Sequence, residues 1–239
     1  PIGVLTSITI PYGYEDEKII EIYQGIEKAL EDSGTFLLGG DTNSSEELSI
    51  SVTTLGIGEK ENIMRREFWE KEGIIGVTGY LDRYNYEAKR YKKYGLCNFE
   101  KMLMQPAPLI KGKILSSSGI KCCIDTPDGL LKSLKDLKSN GGFLIYDEDI
   151  PLFHSYDDES ARRYILSSEP AGDLELLFVA NPSRKKEIEE LFETYNLEVY
   201  WIGKTIERKG IFVKTSEGYV EKPSVEGFIH STKRKLFFE

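Results

Sequence analysis

The stretch Lys121-Cys122-Cys123-Ile124-Asp125-Thr126-Pro127-Asp128-Gly129-Leu130 constrains this chain more than any other, because a short apolar run ends there in an acidic turn. Lys121 to Ile124 reads as a buried strand, and Leu130, Leu131, Leu134 and Leu137 recur at helical spacing beyond it. Thr126 is the expected N-cap and Pro127 the expected first helical residue. The turn would then hold Asp125 and Asp128 together near a helix N-terminus, where backbone N–H groups and the helix dipole favour phosphate. Two hard carboxylates beside a phosphate site suggest Mg²⁺. The same residues also make an ordinary capping turn.

A second acidic stretch gives the first its weight. Thr35-Phe36-Leu37-Leu38 reads as a short buried strand running into Gly39-Gly40-Asp41-Thr42-Asn43. A backbone stripped of side chains just before a carboxylate lets a bulky anion approach the main chain while Asp41 holds a cation. A Gly-rich loop with Asp41 supporting an Asx-turn is the plainer alternative. Arg65 and Arg66 follow and could clamp phosphate oxygens, or lie solvated on the surface.

Around these stretches the chain alternates strands and helices. Ile2 to Ile10 alternates as a strand, and Glu15 to Asp32 carries an apolar helical face that Gly34 ends. Leu48 to Gly58 reads as a half-buried strand, and Gly73 to Gly79 as another. Tyr80 to Leu103 reads as a charged helical segment whose tyrosines, Tyr80, Tyr84, Tyr86, Tyr91 and Tyr94, fit a helix–sheet contact. The break at Gln105-Pro106-Ala107-Pro108 is the expected lobe boundary, giving lobes 1–107 and 108–239. In the second, Gly141 to Tyr146, Leu176 to Val179 and Leu197 to Gly203 are strands and Ser183 to Tyr195 an amphipathic helix, which makes an α+β lobe with a mixed sheet.

Composition narrows the partners. The formal net charge of −9 and pI of about 5.0 provide no global attraction to nucleic acid or to an anionic membrane. Cys97, Cys122 and Cys123 have no metal-ligand spacing, and the two histidines, His154 and His230, are too few and too far apart for a His-rich metal site. With no signal peptide or apolar run of membrane length, a cytoplasmic location is expected. The strand opens directly at Pro1 without an initiator Met, which reads as a chain lacking its N-terminal part.

Taken together, Leu38-Gly39-Gly40-Asp41-Thr42, Ile50-Ser51-Val52-Thr53 through Arg66 to Val77-Thr78-Gly79, Asp125 to Leu130, and Gly172-Asp173-Leu174-Glu175-Leu176-Leu177-Phe178 resemble, in order and approximate spacing, the thiamine-monophosphate kinase family. Its superfamily also holds aminoimidazole ribonucleotide synthetase, selenophosphate synthetase and the hydrogenase maturation dehydratase. The resemblance implies an α+β protein of two lobes, an N-terminal one that forms a homodimer through its sheet and a larger C-terminal one, with ATP and Mg²⁺ between them. It implies transfer of the ATP γ-phosphoryl group to thiamine monophosphate, giving thiamine diphosphate. Carried over by position, Asp41, Asp125 and Asp128 would be metal ligands, Gly40 would lie against ATP, and Arg66 or Arg65 would meet the phosphates. Asp128 and Arg66 would serve the transfer directly, Asp173 and Glu175 would flank the substrate, and Phe228, in Gly227-Phe228-Ile229-His230, would stack on its ring.

The chain departs from that pattern at Pro127, where the family has Ser, and at Glu67-Phe68-Trp69-Glu70-Lys71, where it has a small Gly-rich stretch. The family's N-terminal aspartate motifs have no counterpart here, so this chain alone is expected to be inactive. Another ATP-using enzyme of the same superfamily, or a noncatalytic ATP-binding and dimerisation module, are the alternative readings.

Overall fold

The computed structural model describes residues 1–67, 70–95, 105–153, 165–166, 172–215 and 218–221. It divides into two compact units, Pro1–Glu61 and Asn62–Glu239. Helices and mixed sheets together give the expected α+β class.

The first unit is a three-stranded sheet with one helix. The central strand β1 (Gly3–Pro11) pairs in parallel with β2 (Leu37–Ser45) and antiparallel with β3 (Ser49–Leu55). Helix α1 (Asp16–Ser33) makes the crossover between the parallel pair, and Gly34 ends it at a left-handed φ of 60°. Alternation buries Val4, Thr6 and Ile8 on one face of β1. Ile8 and Thr42 are register partners, and the Thr42 hydroxyl meets the Tyr23 hydroxyl of α1 at 2.5 Å, so α1 covers that same face.

Two expectations for this unit are corrected. Residues 35–38 are not buried: Phe36 and Leu38 are 72% and 52% exposed. The strand from Ser49 is exposed along both faces, with Val52 at 55%. Both β2 and β3 are edge strands, and a single helix covers little beyond the centre of the sheet. The Gly39-Gly40-Asp41 stretch is also strand rather than loop, since Leu5, Thr6 and Ser7 pair with these residues in turn. A β-carbon at Gly40 would overlap the Thr6 carbonyl, so close strand pairing by itself accounts for glycine there.

The second unit is built on a seven-stranded sheet. Its strands are β4 (Ile74–Val77), β5 (Cys122–Asp125), β6 (Gly142–Tyr146), β7 (Leu176–Ala180), β8 (Tyr200–Ile206), β9 (Gly210–Thr215) and β10 (Gly218–Glu221), in the order β10-β9-β6-β8-β4-β7-β5. The β6–β9 pair is parallel and the other five pairs are antiparallel. Because β4 lies between β8 and β7, residues 62–107 group with the C-terminal unit, and the division falls at Glu61/Asn62 instead of at the Pro-rich break.

The period of two along each strand splits the core into two layers. Leu177 and Val179 point to the side packed by α4 (Leu130–Asp136), through Leu130, Leu131 and Leu134. Phe178 and Ala180 point to the other side, packed by α3 (Leu109–Ser117) and α5 (Lys185–Thr194), through Ile114, Leu115, Ile188 and Phe192. The charged helix expected over residues 80–103 is present as α2 (Arg83–Tyr94), closed by Gly95. Its expected continuation over 96–103 lies outside the described residues.

Candidate functional site

Strand β5 delivers Asp125 to the edge of the sheet, and the chain then turns. The Gly129 N–H donates to the Thr126 carbonyl at 2.9 Å, and Gly129, at φ 94°, is the N-cap of α4. The helix therefore starts at Leu130, and neither Thr126 nor Pro127 has the expected capping role. Thr126 is fully buried, and its hydroxyl is used elsewhere: it donates to the carbonyl oxygens of Asp173, at 3.0 Å, and Glu175, at 3.2 Å. At seven residues α4 makes a weak dipole, so the phosphate argument no longer rests on a helix end.

Backbone bonds lay the two acidic stretches of this unit side by side. Thr126 N–H donates to the Glu175 carbonyl and Gly172 N–H to the Pro127 carbonyl, each at 3.0 Å. Strand pairing between β5 and β7 sets Asp125 opposite Leu176. The arginine segment joins from the other flank: Arg65 N–H donates to the Lys121 carbonyl at 2.7 Å, and Cys123 N–H donates to the Arg65 carbonyl at 3.1 Å. This positions the Arg66 guanidinium 3.2 Å from Asp125 Oδ1, with side chains 59% and 52% exposed. An ion pair in such high dielectric contributes at most about 1 kcal/mol, so both charges remain available to other partners.

The structure thus gathers Arg66, Asp125, Asp128, Asp173 and Glu175 within the second unit, with Arg65 beside them. Gly40 and Asp41 stand on β2 of the first unit, where the exposed Asp41 carboxylate accepts from Asn43 Nδ2 at 2.5 Å. Phe228 and its neighbours lie outside the described residues.

Asp173 and Glu175 differ in environment from Asp125. Asp173 is 1% exposed, and its Oδ1 accepts the Tyr84 N–H at 2.9 Å in the first turn of α2. Burial, reinforced by Asp82 and Glu175 and opposed by the Tyr84 N–H and Arg83, raises its pKa to about 8. Glu175 is held by Lys111, whose ammonium donates to the two carboxylate oxygens at 2.9 and 2.7 Å, and by the Thr78 hydroxyl at 2.6 Å. Gln105 ties down the segment between them, donating to the Gly172 carbonyl and accepting the Leu174 N–H, both at 2.9 Å.

Lys111, Thr78 and Gln105 were not anticipated from the sequence. A signal existed for Lys111: it falls at i, i+3, i+4, i+7 with Ile114, Leu115 and Ser118, which places a charge on the buried stripe of α3. Thr78 lay in the Val77-Thr78-Gly79 stretch of the family resemblance but without a role of its own, and for Gln105 there was no signal. Burial raises the thiol pKa of Cys123, beside the turn, to about 12.

Among the described residues, no three His, Cys, Asp or Glu side chains gather into a metal cage. Mg²⁺ takes one or two carboxylates and completes its shell with water and phosphate oxygens. Asp125, exposed and paired with Arg66, fits that demand; Asp173, buried and with a raised pKa, does not. No described helix is long and apolar enough to cross a membrane.

Residues 1–58, nearly the whole of the first unit, match the family model "AIR synthase related protein, N-terminal domain". The first unit is thus similar to the N-terminal domain of AIR synthase-related proteins. Over most of its length the chain is similar to several thiamine-monophosphate kinases. The kinase of Methanospirillum hungatei is 31% identical over 176 residues, 72% of this chain, and the match spans 59% of that relative's length. The fold agrees with that of thiamine-monophosphate kinase from Stenotrophomonas maltophilia, with a TM-score of 0.78 at 23% identity, over 89% of this chain and 72% of that one. A ThiL protein complexed with AMPPCP and TMP superposes with a TM-score of 0.73 at 22% identity, over 97% of this chain and 74% of that one.

Proposed function

We propose that this site serves ATP- and Mg²⁺-dependent transfer of a phosphoryl group onto the phosphate of thiamine monophosphate, giving thiamine diphosphate. The observation that carries the reading is the exposed Arg66–Asp125 ion pair, an exchangeable cation on a carboxylate at the turn that also carries Asp128. Support comes from the thiamine-monophosphate kinase relatives and from the likeness to a ThiL protein holding AMPPCP and TMP.

The reaction brings two anions together, so positioning and charge neutralisation dominate. Asp125 and Asp128 would hold Mg²⁺, which when bound neutralises and aligns the phosphates; Asp41, on β2, is proposed as a metal ligand as well. Arg66, or Arg65, would leave its carboxylate partner to meet phosphate oxygens in bidentate fashion. Gly40 would offer backbone to ATP. The accepting phosphate is itself the nucleophile, so no general base is needed, and a site without histidine is chemically sufficient.

The active form would be a homodimer joined through the first unit's sheet, a reading supported by its exposed apolar side chains Leu5 (40%) and Leu55 (40%), which share the face opposite Ile8. The direct test incubates the full-length protein with ATP, Mg²⁺ and thiamine monophosphate and looks for thiamine diphosphate. Formation that depends on Asp128 and Asp41 supports the reading. No product above that of an Asp41→Ala, Asp128→Ala control would sink it.

A further inference from the structure

We propose that Glu175 and Asp173 touch neither substrate nor metal but are positioning residues, and that Lys111, with Thr78, clamps Glu175 so as to fix the turn carrying Asp125 and Asp128. The proposal deepens the phosphotransferase reading of this site and rests on it for its consequence in nucleotide binding.

A carboxylate that binds a phosphorylated substrate through Mg²⁺ needs free lone pairs facing it. Of the roughly four acceptor positions of Glu175, three are taken, two by Lys111 and one by Thr78. The pair is shielded as well, with side chains 21% and 18% exposed. Gly79 presses against the carboxylate so closely that a β-carbon there would overlap Oε1. The Thr78 hydroxyl in turn accepts the Leu176 N–H at 2.9 Å, locking the carboxylate to the start of β7.

What Glu175 offers the site is its main chain. Its carbonyl takes both the N–H and the hydroxyl of Thr126, the residue between Asp125 and Asp128. Asp173 offers its carbonyl to the same hydroxyl, while its carboxyl group anchors the segment on the first turn of α2. Force applied at Lys111 is thereby transmitted through a side-chain ion pair and a few short covalent steps to the acidic turn. Removing one partner of such a shielded pair leaves an uncompensated charge; removing both does not.

The test is a double-mutant cycle on Lys111→Met and Glu175→Gln, read by hydrogen exchange at the Thr126 and Gly172 amides and by calorimetric affinity for Mg-AMPPCP. Each single change should speed exchange at both amides by roughly 10-fold or more and weaken the nucleotide comparably, and the double variant should return to within about threefold of the parent. Thr78→Val, which keeps both charges, should speed exchange at the same two amides by about threefold, and it decides the matter if Lys111→Met does not fold. Equal loss of nucleotide affinity in Glu175→Gln and in the double variant, with Lys111→Met and the exchange rates unchanged, would make Glu175 a direct ligand and overturn the proposal. A parent protein that forms no thiamine diphosphate yet shows the exchange pattern supports the clamp while removing the phosphotransferase reading.

Discussion

The Thr126 hydroxyl donates to the Asp173 carbonyl at 3.0 Å, joining two acidic stretches 47 residues apart in the chain. The same oxygen lies 3.2 Å from the Glu175 carbonyl, and the side chain is sealed from water. Thr126→Val keeps the volume but leaves a buried carbonyl short of its donor, and should destabilise the second unit by about 1–3 kcal/mol. Thr126→Ser should cost less than half as much. Urea denaturation of the two variants measures the difference.

Asp173 gives a pH dependence with a definite sign. Its folded pKa, about 8, lies above the usual carboxylate value of 3.8, so folding takes up a proton between the two. The stability that this group contributes is fully present below pH 3.8 and is lost as pH rises towards 8. Asp82, Glu175 and Arg83 face it. Asp173→Asn should flatten this part of the stability profile. Thermal melts from pH 5 to 9 compare the two slopes, and parallel slopes would contradict the assignment.

Arg66 separates function from stability. Because its ion pair with Asp125 is exposed, Arg66→Ala should change the unfolding free energy by less than about 1 kcal/mol. Loss of a charge-assisted phosphate contact should weaken nucleotide or substrate by roughly 10-fold or more. Initial-rate kinetics and a denaturation curve on one preparation test both halves.

Phe178 plugs the layer between β7 and the helices, fully buried and edge-on to Trp201 at 5.5 Å between ring centroids. Phe178→Ala should lower stability by about 3–5 kcal/mol, the transfer and cavity costs acting together. The shift in the urea midpoint measures it.

The proposed dimer makes a prediction confined to the first unit. Leu5→Lys with Leu55→Lys places two charges on the sheet face opposite Ile8 and α1, which should turn a particle of about twice 27.2 kDa into one of 27.2 kDa. Light scattering at matched concentrations reads the masses. An unchanged dimer would move the interface elsewhere.

The alternation and helical spacing of apolar residues placed most elements well, because periodicity depends on local geometry alone. Glu15 to Asp32, Leu176 to Val179 and Ser183 to Tyr195 each appear within a few residues of expectation. The start of α4 was misplaced because Thr126-Pro127 has good capping chemistry, while its hydroxyl found better-buried acceptors across the sheet. Propensity was overruled there by a tertiary hydrogen bond. The division between units was misread at Gln105–Pro108 for a related reason: proline marks a break in local structure, whereas β4 was claimed by strands lying far along the chain.

By itself the sequence determined the α+β class, the order of strands and helices, and the acidic and arginine residues from which a phosphate site could be assembled. Those follow from side-chain period and chemical type, which are local properties. Only the tertiary structure decided which carboxylates are open and which are locked. Asp125 remains exposed beside Arg66, whereas Asp173 is sealed onto α2 and Glu175 onto Lys111. The burial and partners of a carboxylate depend on chain segments tens of residues away, so acidic residues that look alike in the sequence acquire different charges, neighbours and roles.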